Sequence, residues 1–250
     1  MSPEVLRIRA DNPGLFTLSG TNTWVVGRDP CWVIDPGPAL GSHLDAVALA
    51  VDERGGAGGI ALTHDHPDHV DGVTGLLARC GEDVPVAAIR FAGSDVALRD
   101  GALFGPLRAI ATPGHAPDHL AFLAGDVCFS GDAVLGEGSV FVAPGPGALA
   151  GYLAALRRLR SLDLERICPG HGPDIEHPEA KLDEYIAHRL DRERRLIAAL
   201  AAGARTEAEL LDAVWHDVPP ELRAAAAFTL AAHLGKLREE GRAPEEGASA

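Results

Sequence analysis

For its first 175 residues the chain alternates short apolar runs with loops rich in Gly, Pro, Asp or His. The runs are Val5–Arg9, Thr23–Gly27, Cys31–Asp35, Gly59–Thr63, Val86–Arg90, Leu107–Thr112, Leu120–Ala124, Val127–Gly131 and Arg166–Pro169. Their length and the turn residues that bound them predict strands. Helical spacing appears between some of them. Ser42–Glu53 carries Leu44, Val47, Ala48 and Val51 on one face, Val70–Arg79 carries Val73, Leu76 and Leu77, and Leu149–Leu162 follows the same rule. Strands and helices in alternation predict sheets covered by helices, an α/β (α+β) fold.

The pattern changes near residue 178, beyond which no convincing strand run occurs. Glu179–Ala202 reads as one long helix with a charged middle, Asp191-Arg192-Glu193-Arg194-Arg195. Thr206 and Glu209 have the spacing of a capping box that opens a second helix through Val214. Pro219-Pro220 stops the chain, and Glu221–Glu240 reads as a third helix closed by Gly241. The expected division is residues 1–178 as a catalytic α/β domain, 179–242 as a helical domain and 243–250 as a disordered tail.

Composition narrows the picture. The 46% hydrophobic content supports a full core, but aromatics are only 5%, so Ala, Val, Leu and Ile must build it. A formal net charge of −14 argues against a generic nucleic-acid binder, because neutralising phosphates takes Lys and Arg. Residues 181–242 hold 10 basic and 11 acidic residues, so the acidity lies outside the helical unit. Cys31, Cys80, Cys128 and Cys168 are far apart and form no CxxC, so they read as small reduced thiols. Met1–Arg9 has no apolar signal core and no stretch approaches 18 continuous apolar residues, which predicts a cytoplasmic protein without a membrane partner. The sequence leaves a homodimer open.

The chemistry concentrates in Thr63-His64-Asp65-His66-Pro67-Asp68-His69. Three imidazoles and two carboxylates fall within six consecutive positions, directly after the apolar run Gly59–Leu62. An isolated HxH would read as a solvated turn, but HxHxDH at the end of a strand points to a metal site. Three further runs repeat the arrangement. Leu107–Thr112 leads into Pro113-Gly114-His115, Val127–Ser130 into Gly131-Asp132, and Arg166–Cys168 into Pro169-Gly170-His171. In each, glycine lets the backbone turn tightly before a donor residue. Donors at several strand ends can converge on one sheet edge. Imidazole and carboxylate donors without thiolate favour zinc, with iron or manganese as alternatives.

With these motifs in place, the chain resembles a metallo-β-lactamase-fold hydrolase over residues 5–175. The resemblance implies an αββα sandwich and a two-metal centre. It implies that His64, His66 and His115 hold one metal, that Asp68, His69 and His171 hold the other, and that Asp132 bridges them. Asp68 and Asp132 are then the catalytic carboxylates. Two such ions can share a hydroxide and lower its pKa toward neutrality. No GxSxG is present, so a side-chain nucleophile has little support. Asp68 stands where some true β-lactamases carry Cys, which argues against antibiotic degradation. His119 is expected to be structural. His43, His177, His188, His216 and His233 show no spacing signal and are expected to be surface or partly buried. Asp35 either orients a ligand or caps a turn, and Asn22 either reaches the metal mouth or forms an Asx turn.

A narrower likeness runs almost end to end. Asn12-Pro13-Gly14, Gly20-Thr21-Asn22-Thr23, Ser130–Gly138, Pro169–Pro173, Tyr185–Arg189 and Leu234-Gly235-Lys236-Leu237 resemble the beta-lactamase-like protein 2 family. This implies a C-terminal winged-helix-like domain, with little sequence left for a wing, and a loop over the metal edge at Gly136–Val142. It also implies a choice of substrate. Eukaryotic members are similar to endoribonucleases that cut single-stranded RNA, and other members hydrolyse thioesters. The first expectation is an RNA phosphodiesterase. The alternative is a thioesterase, lactonase or glyoxalase-II-like hydrolase of a small acyl substrate. DNA binding is not expected, since Asp191 and Glu193 balance Arg192, Arg194 and Arg195.

Overall fold

The computed structural model describes residues 3–243. Eleven strands form two sheets. They are β1 Val5–Arg9, β2 Asn22–Val26, β3 Cys31–Ile34, β4 Ala57–Ala61, β5 Val86–Ala88, β6 Val96–Ala97, β7 Leu103–Phe104, β8 Leu107–Ala111, β9 Leu120–Ala124, β10 Val127–Gly131 and β11 Arg166–Pro169. The helices are α1 Gly41–Asp52, α2 Pro67–Val70, α3 Val73–Cys80, α4 Ala148–Arg160, α5 Pro178–Ala201, α6 Glu207–Val214 and α7 Arg223–Glu239, the last preceded by a 3-10 turn at Pro220–Leu222. One sheet has the order β1-β2-β3-β4-β5-β6 and the other β11-β10-β9-β8-β7.

Apolar residues sort into layers. Val25, Val33 and Ile60 on the outer face of the first sheet pack on Leu44, Val47 and Leu76 of α1 and α3. The inner faces meet through Trp24, Val26 and Ile34 from one sheet and Leu120, Phe122 and Phe129 from the other. Trp24 and Phe129 make an edge-to-face pair with centroids 6.0 Å apart. The outer face of the second sheet, with Ile110, Leu123 and Cys128, is covered by Leu149, Leu153, Leu156 and Leu182 of α4 and α5. Helix, sheet, sheet, helix is thus the order of layers. Each buried Leu, Ile or Phe contributes about 1.5–3 kcal/mol, so these three interfaces supply most of the drive to fold.

A fourth cluster joins Leu196 of α5 to Leu210, Leu211 and Val214 of α6, to Trp215, and to Leu230 and Leu237 of α7. The capping box at Thr206 is formed, with both Thr206 and Glu209 side chains bonded to backbone amides. Among the described residues no strand follows β11, so the unit is helical and carries no wing there. Of the tail expected from 243 on, residues 244–250 lie outside the described residues.

Two strands were not foreseen. β6 and β7 have two residues each, too short to show any alternation. The helix expected over Val70–Arg79 is two, α2 and α3, separated at Asp71-Gly72. Gly72 donates to the Gly37 carbonyl at 2.8 Å, and a Cβ there would meet that oxygen at 2.7 Å. The close approach of two loops, not helix propensity, sets the break.

The topology brings the donors together. Strands β3 and β4 run parallel in one sheet, while β8 and β10, each antiparallel to β9, run alike in the other with β11 parallel to β10. The carboxyl ends of β4, β8, β10 and β11 deliver the chain into Thr63–His69, Gly114-His115, Asp132 and Gly170-His171. The sheets are stitched there: Leu120 N–H donates to the Thr63 carbonyl at 2.7 Å, and Asn22 N–H to the Gly170 carbonyl at 2.8 Å. Binding at strand carboxyl ends is the general habit of open α/β sheets.

Candidate metal centre

All seven residues singled out in the sequence meet at this edge. His64, His66 and His115 form one set of donors, Asp68, His69 and His171 another, and His64, His69 and Asp132 a third, with donor atoms in each within 4.8 Å of one another. His66 Nδ1 lies 2.9 Å from His64 Nε2 and 3.0 Å from His115 Nε2. Asp132 reaches both sides: Oδ2 is 3.5 Å from His115 Nε2 and 3.4 Å from His171 Nε2, and Oδ1 is 3.5 Å from His69 Nε2. Asp68 Oδ2 is 3.2 Å from His171 Nε2 and 3.5 Å from His69 Nε2.

The outward nitrogens decide what the inward ones can do. His69 Nδ1–H donates to Asp35 Oδ2 at 2.8 Å. Thr63 Oγ1–H donates to the same oxygen at 2.7 Å, which leaves Oγ1 to accept Nδ1–H of His64 at 2.9 Å. The Phe141 carbonyl accepts from His115 Nδ1 at 3.3 Å, and the Gly20 carbonyl from His171 Nδ1 at 3.4 Å. Four imidazoles therefore carry a hydrogen on Nδ1 and turn Nε2 inward, while His66 turns Nδ1 inward. Partner chemistry fixes these tautomers. His64 and His115 then aim Nε2 lone pairs at the same atom, His66 Nδ1, at about hydrogen-bond distance. His69 Nε2 and Asp132 Oδ1 are buried and hydrogen-bonded to nothing. Such groups are costly to bury unless a cation completes them. The residues present fit a divalent pair.

Electrostatics splits the cluster. Burial, reinforced by neighbouring imidazoles, holds His64 well below the ordinary histidine value. Burial likewise takes His115 down to about 4, against the pull of Asp132. Burial also opposes charge on His69 and His171, but Asp132 outweighs it, helped by Asp35 at His69, raising His69 well above its usual value and His171 to about 9. Burial opposes the carboxylates too, yet His171 and His69 win, and Asp132 falls well below the usual range while Asp68 falls to about 2. Both carboxylates are anions at neutral pH. Strongly perturbed groups crowded into one cleft mark a functional site.

Two glycines make room. Gly131 has φ +47, and a Cβ there would lie 2.7 Å from Thr63 Oγ1 and 2.9 Å from His119 Nε2. At Gly170 a Cβ would sit 2.5 Å from Asp132 Oδ1 and 2.8 Å from His69 Cε1. The strand-Gly-donor pattern thus answers a close approach.

The supporting residues were only partly legible. Asp35, at φ +52, orients His69 rather than capping a turn alone. Asn22 does neither of the things expected of it: it opens β2 and its amide donates to the carbonyls of Pro169 at 3.0 Å and Gly172 at 2.9 Å, clasping the His171 loop. His119 accepts from Asp132 N–H at 3.0 Å and gives its Nδ1–H to Thr112 Oγ1 at 2.7 Å, so neither nitrogen is left for a cation. Thr63 opens the histidine motif and Phe141 lies in the loop expected over the metal edge, but their roles, a hydroxyl and a carbonyl aimed at imidazoles, had no sequence signal. Two histidines expected to be surface or partly buried are buried, His233 fully. His43 is held by Thr23 and the Pro36 carbonyl, whereas His233 lies in the helical unit against Trp215 with both nitrogens unpartnered. All four cysteines are free, and three of them are buried.

Known proteins resemble this chain in sequence and fold. The metallo-beta-lactamase superfamily family model matches residues 88–171, and that of the beta-lactamase associated winged helix domain matches residues 206–249. A beta-lactamase-like protein 2 homolog of Caenorhabditis elegans is 34% identical, over 96% of this chain and 86% of that protein. An atrochrysone carboxyl ACP thioesterase of Aspergillus fumigatus is 34% identical over 89% of this chain and 76% of that protein. The crystal structure of a metallo-beta-lactamase family protein from Thermus thermophilus superposes with a TM-score of 0.76 at 25% identity, covering 95% of this chain and 94% of that one. The chain belongs to the metallo-beta-lactamase superfamily, alongside the beta-lactamase-like protein 2 homologues.

Proposed function

We propose that this hydrolase acts on a small acyl substrate, a thioester foremost, at a centre of two divalent cations. The observation that carries the metal reading is the set of imidazole nitrogens turned inward, onto one another and onto Asp68 and Asp132, by hydrogen bonds on their outer nitrogens. His64, His66 and His115 would hold one cation and Asp68, His69 and His171 the other, with Asp132 between them. Zinc suits these donors, and iron or manganese could take them. A divalent pair supplies a Lewis acid and a water acidic enough to attack near neutral pH. The chain's own residues set the stage. Asp35 and Thr63 hold His69 and His64 in register. Asp68, ionised and steadied at Oδ2 by the Thr21 hydroxyl at 3.2 Å, would bring negative charge to the second cation.

Two observations favour an acyl group over RNA. The Phe141 ring lies 4.6 Å from the His115 ring and packs edge-on with Phe16 at 6.0 Å, and both Phe16 and its neighbour Leu15 are half exposed. That rim is apolar. Six cations of the helical unit are meanwhile paired within the chain: Arg192 with Asp217, Arg194 and Arg195 with Asp191, Arg223 with Asp212, Lys236 and Arg242 with Glu193 and Glu240. A phosphate backbone needs free cations. The thioesterase among the relatives supports the same choice.

The test is turnover of a thioester and lactone panel and of a single-stranded RNA by the purified protein. The expected result is thioester hydrolysis abolished by chelation and by His66→Ala or Asp132→Ala. RNA cleavage with steep salt dependence, alongside inert thioesters, would contradict the acyl assignment.

A further inference from the structure

Arg189 of α5 is almost wholly buried, at 2% exposure, between Tyr152, Tyr185 and the loop that follows β10. Among the described residues no ion pair to it is found. Its guanidinium lies over the Tyr152 ring at 5.5 Å and donates to the Val140 carbonyl. Desolvating a full charge without a carboxylate beside it is unfavourable, so a purely packing role would be better filled by Met or Leu.

The acceptor identifies the need. Val140 precedes Phe141, whose carbonyl takes the Nδ1 hydrogen of His115. On the other side of Phe141, the Val142 N–H donates at 3.3 Å to Thr229 Oγ1 of α7, which in turn donates to the Ala225 carbonyl. The same loop is tied to the helices earlier as well. Tyr152 O–H donates to the Ala133 carbonyl at 2.7 Å, and Leu135 N–H donates to Tyr185 Oη at 3.0 Å. Three helices thus suspend residues 133–142, and the loop presents one carbonyl to one imidazole. Arg189 and Thr229 grip the residues on either side of that carbonyl.

We propose that Arg189 and Thr229 are positioning residues of the metal centre: through Val140 and Val142 the C-terminal helices hold the Phe141 carbonyl against His115 and so fix its Nε2 toward His66 and Asp132. This rests on the reading of the site as a two-cation centre. It assigns the helical unit a task inside the catalytic machinery, with neither residue touching a donor. Outer-sphere partners of metal-binding histidines act in this way.

The test uses the full chain and the affinities of its two cations, measured with zinc by competition against a chromophoric chelator, together with the urea midpoint. Arg189→Met and Thr229→Val are expected to weaken one of the two ions by roughly tenfold or more and leave the other nearly unchanged, the range seen when such outer partners are lost. Thr229→Ser, which keeps the hydroxyl, is expected to restore the wild-type value. If Arg189→Met does not fold, Thr229→Val decides alone. Both ions bound as in the wild type, or both weakened equally, would overturn the proposal, even where the fold is less stable. A wild-type chain that binds no zinc would instead remove the two-cation reading itself.

Discussion

A single carboxylate shows how tightly the centre is specified. Asp35 accepts from Thr63 N–H at 2.8 Å, Thr63 Oγ1 at 2.7 Å and His69 Nδ1 at 2.8 Å, all of them buried. Asp35→Ala would leave three buried donors unsatisfied, each costing about 1–3 kcal/mol. We expect a loss of roughly 3 kcal/mol or more in urea unfolding. A drop below about 1 kcal/mol would mean that water takes over the role of the carboxylate. At this scale the sequence showed donors better than supports. The histidines announce themselves by spacing, because three of them sit in one turn. The Asp35–His69 pair spans 34 positions and depends on a positive φ at Asp35, which no local pattern encodes.

Elements were legible where their period was long enough to read. β1, β9, β10 and β11 fall where the apolar runs placed them, as do α1, α4 and α5 to within a residue or two. β6 and β7 escaped because two residues cannot alternate, and the break between α2 and α3 follows from a contact with Gly37 rather than from helix signals. The capping box at Thr206 was readable because its geometry is wholly local. Thr206→Ala should therefore cost about 1 kcal/mol, measured by urea unfolding, with activity unchanged. A larger loss accompanied by lower activity would show that α6 is coupled to the site more tightly than its packing against α5 and α7 implies.

The whole molecule adds a pH response that neither motifs nor strands suggested. His233 is fully buried in the helical unit, and burial, with Arg189, Lys236, His188 and Arg192 nearby, takes it down to about 3. Trp215 packs on its ring and brings no carboxylate. The unfolded chain binds this proton near 6.5, the folded chain only near 3. Protons therefore favour unfolding across that window, and stability falls as pH drops from 6.5 toward 3, by at most about 5 kcal/mol from this group. His233→Leu should shrink the difference in unfolding free energy between pH 7.5 and 4.5, and an unchanged difference would assign the acid response elsewhere. Among the described residues no helix is long and apolar enough to cross a membrane. Strand ends from both sheets converge on the metal edge. That edge is testable most directly by its contents. Metal analysis of the purified protein at neutral pH, paired with anomalous diffraction at the absorption edge of the metal found, should show two divalent ions per chain among His64, His66, Asp68, His69, His115, Asp132 and His171, and only one in Asp132→Ala. A protein that holds no ion after equilibration with zinc, iron or manganese, or that holds its ions away from these seven side chains, would contradict the account.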